Sequence, residues 1–120
     1  MTAGRTLLEL LEEGRAHFNG GRFFEAHERW EAAWLVETGP SKFLLQGLIQ
    51  IAAGFLKARQ GQAAGAVRLL ESGVERVAEA GTAPELALFL ALVRRRTEDI
   101  REAVDPASPW PALPPLGSVK

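Results

Sequence analysis

A histidine and several carboxylates lie among aromatic residues in one short stretch of this sequence, from position 23 to position 34. His27 is followed directly by Glu28, and Glu31 comes four residues after the histidine. Residues four apart are neighbours on a helix, so an imidazole and a carboxylate at this spacing can share a proton or hold a ligand together. The stretch therefore contains the residue types of an acid–base site, set beside Trp30 and Trp34.

Helical periodicity places these side chains on particular faces. At about 100° per residue, Phe23, His27, Trp30 and Trp34 share one face, and Glu31 flanks it. We therefore expect His27 to be at least partly buried among aromatic rings, with carboxylates within reach. Glu25 points further away from this face.

Two glutamines interrupt the most apolar segment of the chain. Gln46 and Gln50 lie one turn apart, and buried amides need hydrogen-bond partners. Gly47 and Gly54 beside them would let another helix approach closely. We expect the approaching helix to be the one that carries His27. The histidine and its neighbouring carboxylates would then share a pocket with the two glutamines. The candidate site then comprises Glu25, His27, Glu28, Trp30, Glu31, Trp34, Gln46 and Gln50.

Three interpretations of this cluster follow from the residues. It is a buried network that fixes how helices pack, a small-ligand or catalytic site, or a metal site. The residues alone favour the first interpretation, a buried network with a purely structural role. The metal site is favoured least, because Glu31 stands where the second histidine of a zinc-protease motif would be. We expect neither a metal nor a cofactor.

Composition narrows the class of protein. The chain has 120 residues, enough for one domain with its own core, and a formal net charge of −1. A net charge this close to zero does not indicate the strongly basic surface with which proteins bind nucleic acid. The absence of cysteine excludes thiol catalysis. No apolar run can span a bilayer and no signal peptide is evident, so we expect a cytoplasmic protein without membrane or nucleic-acid partners.

Glycine, proline and apolar periodicity predict an all-α fold, an irregular bundle of about five helices. Gly14, Gly21, Ala26 and Glu31 recur forty residues later as Gly54, Gly61, Ala66 and Glu71. This repeat predicts two antiparallel helical hairpins, followed by a C-terminal helix. We expect residues 1–104 to form a single helical domain.

The remaining residues, 105–120, contain five prolines and cannot form a helix. Trp110, Leu113 and Leu116 are spaced three apart, which is one turn of a polyproline helix. We expect this extended tail to pack on the domain through these side chains rather than to serve as a proline-rich ligand for a partner.

The motif residues resemble a known family. Phe18-Asn19, the run from Gly21 to Glu28, and then Trp30, Glu31 and Trp34 are similar to the signature of the bacterial and archaeal domain of unknown function 309 family. Residues 43–53 look like its second block. The resemblance implies an all-helical bundle of short hairpins and no particular activity. The family's motif positions would here be Glu25, His27, Glu28, Trp34, Gln46 and Gln50.

We interpret the chain as a non-enzymatic binding or interaction module with a polar and aromatic pocket around His27. Its partner would be a protein or a small molecule, and a second copy of the chain is one such partner. The alternative is a small hydrolase-like or metal-assisted enzyme, with His27 and either Glu28 or Glu31 as acid, base or ligands. The residues alone leave the choice between these two classes open.

Overall fold

The computed structural model describes residues 6–80, 83–103 and 110–116, and this part of the chain contains five α-helices and no strand. The prediction of an all-α bundle built from two hairpins and a C-terminal helix is confirmed. None of these helices combines the length and the apolar run that crossing a bilayer requires. The helices are α1 (Leu7–Asn19), α2 (Phe23–Val36), α3 (Ser41–Arg59), α4 (Ala63–Glu79) and α5 (Pro84–Arg101).

The first helix begins at a reciprocal cap. The Thr6 hydroxyl accepts a hydrogen bond from the backbone N–H of Glu9 at 3.1 Å, and the Glu9 carboxylate accepts one from the Thr6 N–H at 2.8 Å. Two of the N–H groups that have no partner inside the helix are thereby satisfied. The carboxylate also lies in the first turn, where the helix dipole favours negative charge.

Turns of the same conformation connect the two helices of each hairpin. Gly21 has φ of 81° and Gly61 has φ of 80°, a left-handed conformation that favours glycine. After each glycine the chain hydrogen-bonds back to the preceding helix, from Arg22 N–H to His17 O at 2.8 Å and from Gln62 N–H to Lys57 O at 2.9 Å. The donor and the acceptor of the second hydrogen bond each lie forty residues after those of the first. The predicted forty-residue repeat is therefore present in the backbone.

Close contacts inside the hairpins also repeat. A Cβ added to Gly14 on α1 would lie 2.2 Å from the indole nitrogen of Trp30 on α2. A Cβ added to Gly54 on α3 would lie 2.7 Å from Cγ of Leu70 on α4. In both hairpins a glycine on the first helix thus admits a large side chain from the second, at positions forty residues apart.

Aromatic rings join the helices in the core. Phe18 on α1 is fully buried, and its ring centroid lies 5.3 Å from that of Phe23 on α2 and 5.9 Å from that of Phe55 on α3. The ring of Phe89 on α5 lies 5.9 Å away on another side. The angled ring pairs have the edge-to-face geometry that aromatic side chains prefer. A single residue at the end of α1 therefore contacts three other helices.

Candidate functional site

The inner face of α2 belongs to the core. Phe23, Ala26, Trp30 and Ala33 are buried on it. The indole N–H of Trp30 donates a 3.1 Å hydrogen bond to the carbonyl oxygen of Leu11 on α1, so the polar atom of this ring is satisfied inside the protein. Trp30, one of the predicted site residues, therefore fixes the packing of α2 on α1 and lines no open surface.

The opposite face of α2 forms a separate surface, which we call the outer strip. Phe24 at one end is 53% exposed and Leu35 at the other is 69% exposed, although both are large and apolar. Glu28 and Glu31 are exposed between them, and the half-buried side chains of His27 and Trp34 form one edge. The outer strip thus consists of Phe24, His27, Glu28, Glu31, Trp34 and Leu35.

His27 is held in the outer strip mainly by packing. Its ring stacks on that of Phe24, with centroids 6.3 Å apart and an interplanar angle of 19°. Its Nε2 lies 3.9 Å from a carboxylate oxygen of Glu31, which is longer than a hydrogen bond. Its Nδ1 is buried without a hydrogen-bond partner among the described residues. The predicted pairing of His27 with Glu31 is present as a loose contact on a half-exposed surface.

Lys42 lies against the other end of the outer strip. Its ammonium nitrogen is 3.9 Å from the centroid of the Trp34 ring, in cation–π geometry. The same group donates hydrogen bonds to the carbonyl oxygens of Trp34 and Glu37, two of the groups left without partners at the end of α2. No sequence pattern predicts this role, because Lys42 lies across a loop from the helix that it caps.

One of the two glutamines of α3, Gln50, contacts α4 and not α2. The side-chain oxygen of Gln50 accepts a 3.1 Å hydrogen bond from the hydroxyl of Ser72 on α4. A Cβ at Gly47 would lie 2.7 Å from the carbonyl oxygen of Gly73, also on α4. The expectation that α2 packs on this glycine stripe is therefore wrong. Gly73 provides a second side-chain-free position, so the backbones of α4 and α3 approach closely there. Gln46 is half-buried on α3.

The remaining charges near α2 lie outside the outer strip. Glu25 is exposed in the first turn of the helix. Arg29 points toward α1, where its side-chain nitrogen lies 3.2 Å from a carboxylate oxygen of Glu13. No group of three or more His, Asp or Glu side chains is placed to hold a metal ion in the described ranges. The outer strip is thus an apolar and acidic helix surface with a half-buried imidazole.

The comparison with known families agrees with the motif. The family described as "Domain of unknown function (DUF309)" matches residues 11–69, from within α1 into α4. The match confirms the resemblance predicted from the sequence, and it covers most of α1, all of α2 and α3, and the start of α4. The matched range includes every residue of the outer strip. No curated protein and no solved structure matches the chain.

Proposed function

We propose that this protein is a non-enzymatic interaction module of the cytoplasm, and that the outer strip of α2 is the surface with which it binds a partner protein. The observation that carries the proposal is that α2 is apolar on two opposite faces. One face is buried in the core, and the other leaves Phe24 and Leu35 more than half exposed. A helix that serves only its own core needs one apolar face.

The size of the exposed side chains supports a binding role. Full burial of a Phe or Leu side chain contributes about 1.5–3 kcal/mol. Phe24 and Leu35 lie three turns apart along α2, with the indole of Trp34 beside Leu35. Two anchors at that separation match the length of a short helix or peptide laid along α2. Tryptophan is among the residue types that contribute most of the binding energy at protein interfaces.

The charges of the outer strip define the partner. Glu28 and Glu31 are both exposed between the two apolar anchors, and the strip itself contains no lysine or arginine. We therefore infer a partner segment that is amphipathic and basic, with large apolar side chains at helical spacing and Lys or Arg between them. The net charge of −1 for the whole chain argues for such a protein segment rather than for nucleic acid.

Selection from a random peptide library tests this proposal. The full chain is immobilised, and the bound peptides are sequenced and measured by titration. We expect enrichment of basic amphipathic peptides whose affinity falls at least about tenfold for the variant Phe24→Ala/Leu35→Ala, a loss of about 1.4 kcal/mol or more. The matched control is Leu88→Ala, because Leu88 on α5 is exposed to a similar extent.

Equal binding to the double variant and to the unmodified chain would refute the proposal, as would a selection without basic amphipathic enrichment. Light scattering of the unmodified chain covers the case in which the partner is a second copy. A dimer that is lost in Phe24→Ala/Leu35→Ala but kept in Leu88→Ala would identify that copy as the occupant of the outer strip.

The alternative proposal is a small hydrolase-like or metal-assisted enzyme that uses His27 with Glu28 or Glu31. The observation in its favour is that Nδ1 of His27 is buried without a partner, beside the Glu31 carboxylate 3.9 Å from Nε2. Such a group can accept a proton or a ligand on binding. A panel of ester, amide and phosphoester substrates, with and without divalent metal, tests it. Hydrolysis that is abolished in His27→Gln would support it, and no hydrolysis above background would remove it.

A further inference from the structure

Side chains on α1, away from the outer strip, hold another segment of the same chain. Three polar side chains, Glu12, Arg15 and Asn19, follow one another at helical spacing and therefore share one face of this helix. All three bind the backbone of residues 110–116, which lie along them. The helix thus holds a chain segment through its peptide groups.

Asn19 recognises the segment in a bidentate manner. Its side-chain nitrogen donates to the carbonyl oxygen of Leu113 at 3.1 Å, and its side-chain oxygen accepts from the Leu113 N–H at 2.8 Å. The Nε of Arg15 donates to the same carbonyl oxygen at 2.9 Å. A carboxylate oxygen of Glu12 accepts from the N–H of Leu116 at 2.9 Å. All four hydrogen bonds are made to backbone peptide groups. Because every protein segment has such groups, these bonds do not depend on the segment's side chains.

Apolar anchors supply the selectivity. Leu113 and Leu116 are each 1% exposed and lie in the core cluster. Trp110 is half-buried, and its indole N–H donates a 3.0 Å hydrogen bond to the carbonyl oxygen of Phe18 at the end of α1. The anchors are spaced three residues apart. Prolines between them limit the backbone to an extended range of φ, which reduces the entropy lost on binding.

The end of α3 completes the surface. The guanidinium carbon of Arg59 lies 4.5 Å from the ring centroid of Phe23 and 5.8 Å from that of Trp110. The Nη1 of Arg59 donates a 2.7 Å hydrogen bond to the carbonyl oxygen of Gly21. The aromatic anchor is therefore held between α1, the first hairpin turn and a fixed cation.

A space on the α5 side of the segment lies next to its aromatic anchor. A cavity of about 230 Å³ adjoins Trp110 and Pro111, and residues of α5, among them Leu92 and Arg95, form its other wall. A segment with more bulk beside its aromatic anchor would make contacts there that residues 110–116 do not make. A ligand with a larger residue at the position of Pro111 would extend into this space beside α5.

We propose that this surface, the α1 groove, is a peptide-binding site that residues 110–116 occupy in cis. Its ligand in trans is an extended segment of a partner protein, with an aromatic residue followed by large apolar residues three and six positions later. The cis segment competes with that ligand and keeps the groove covered until a partner displaces it. The proposal does not depend on the outer strip.

A labelled peptide tests the competition. The probe is a synthetic peptide with the sequence of residues 110–116, Trp-Pro-Ala-Leu-Pro-Pro-Leu, and fluorescence anisotropy reports its binding. The target is the full chain with Leu113→Ala/Leu116→Ala, which weakens the cis segment and leaves α1 unchanged. Because a tethered competitor acts at an effective concentration near the millimolar range, we expect the double variant to bind the peptide at least about tenfold more tightly than the unmodified chain does.

Two further variants in the double-variant background locate the site. Asn19→Ala removes the bidentate contact and should weaken peptide binding about tenfold. Leu88→Ala, on the exposed face of α5, should leave binding unchanged. A scrambled peptide in which the two leucines are no longer three and six residues after the tryptophan should bind at least about tenfold more weakly, because the anchors lose their spacing.

Several outcomes would overturn the proposal. They are the absence of saturable binding to a folded double variant, equal binding of the scrambled peptide, and no effect of Asn19→Ala. If circular dichroism shows that the double variant is unfolded, Trp110→Ala replaces it under the same criteria, since this anchor is only half-buried. A dimer of the unmodified chain that the peptide dissociates would assign the groove to a second copy and overturn the partner-protein assignment.

Discussion

Replacing Gly14 by alanine tests how α2 is fixed to the fold, because this contact sets the position of the whole outer strip. The added Cβ would lie 2.2 Å from Nε1 and 2.5 Å from Cδ1 of Trp30. Ordinary contacts between such atoms are about 3.5–4.0 Å, so the indole would have to move by more than about 1 Å. Trp30 has no exposed surface and its ring lies 6.0 Å from that of Phe18, which leaves no free direction for this movement.

The magnitude follows from three contributions. Overpacking in a filled core costs about 1–3 kcal/mol. Displacing the indole breaks the hydrogen bond to Leu11 and leaves a buried donor unsatisfied, which costs about 1–3 kcal/mol more. Alanine has a better helix propensity than glycine by about 1 kcal/mol, which offsets part of the loss. We therefore expect Gly14→Ala to lower the free energy of unfolding by about 3 kcal/mol.

Urea unfolding followed by far-ultraviolet circular dichroism measures this change. The midpoint should fall while the slope stays constant, because the surface exposed on unfolding is unchanged. Gly65→Ala is the matched control, since a Cβ at this helical glycine would meet only the Cδ of Lys57 at 3.7 Å, an ordinary contact. We expect it to stabilise the protein by up to about 1 kcal/mol. A Gly14→Ala variant as stable as the unmodified chain would refute the packing of Trp30 described above.

Three further substitutions have defined outcomes in the same assay. Gly47→Ala should destabilise by about 1–3 kcal/mol, because its Cβ would meet the Gly73 carbonyl oxygen at 2.7 Å and backbone cannot rotate away as a side chain can. Stability equal to that of the unmodified chain would contradict the α3–α4 contact. Gly61→Ala should lower the free energy of unfolding by about 1 kcal/mol, because φ is 80° there, although no atom lies within 4 Å of the added Cβ. Gly61→Asn should lower it less, since asparagine tolerates the left-handed conformation better. Equal losses in the two variants would contradict the left-handed turn. Arg59→Leu should cost about 1–2 kcal/mol through its lost hydrogen bond and cation–π contact, and an unchanged midpoint would contradict both.

Much of the fold could be predicted from the sequence because its turns are marked by glycine. Gly21 and Gly61 adopt the left-handed conformation that few other residues adopt, and each lies between segments with helical periodicity. The forty-residue repeat then predicted that both hairpins have the same form. These signals are local, so they need no knowledge of which helices meet in the folded chain.

The partners of each helix could not be predicted in the same way. Periodicity placed Gln50 and Gly47 on one side of α3, but it does not say which helix covers that side. The answer depends on Gly73, a residue of α4 whose missing side chain becomes informative only once the two helices are in contact. The candidate site could be predicted only in part for the same reason.

Within the candidate site, the helical wheel grouped residues that the structure separates by depth. Trp30 and His27 lie close in angle on α2, yet the indole is fully buried and the imidazole is half-exposed. A wheel assigns a direction to each side chain, whereas burial depends on the neighbouring helices. The contacts of Lys42 with Trp34, and of Asn19 with Leu113, join positions with no sequence pattern between them.

The most direct measurement of the binding role is a map of backbone amide chemical shifts while a selected basic amphipathic peptide is added to the ¹⁵N-labelled full chain. If the outer strip is the binding surface, the largest changes will fall on α2, at Phe24, Glu28, Glu31 and Leu35, and they will be absent in Phe24→Ala/Leu35→Ala. Changes confined to α1 around Asn19, or to the exposed face of α5, would contradict a binding role for the outer strip.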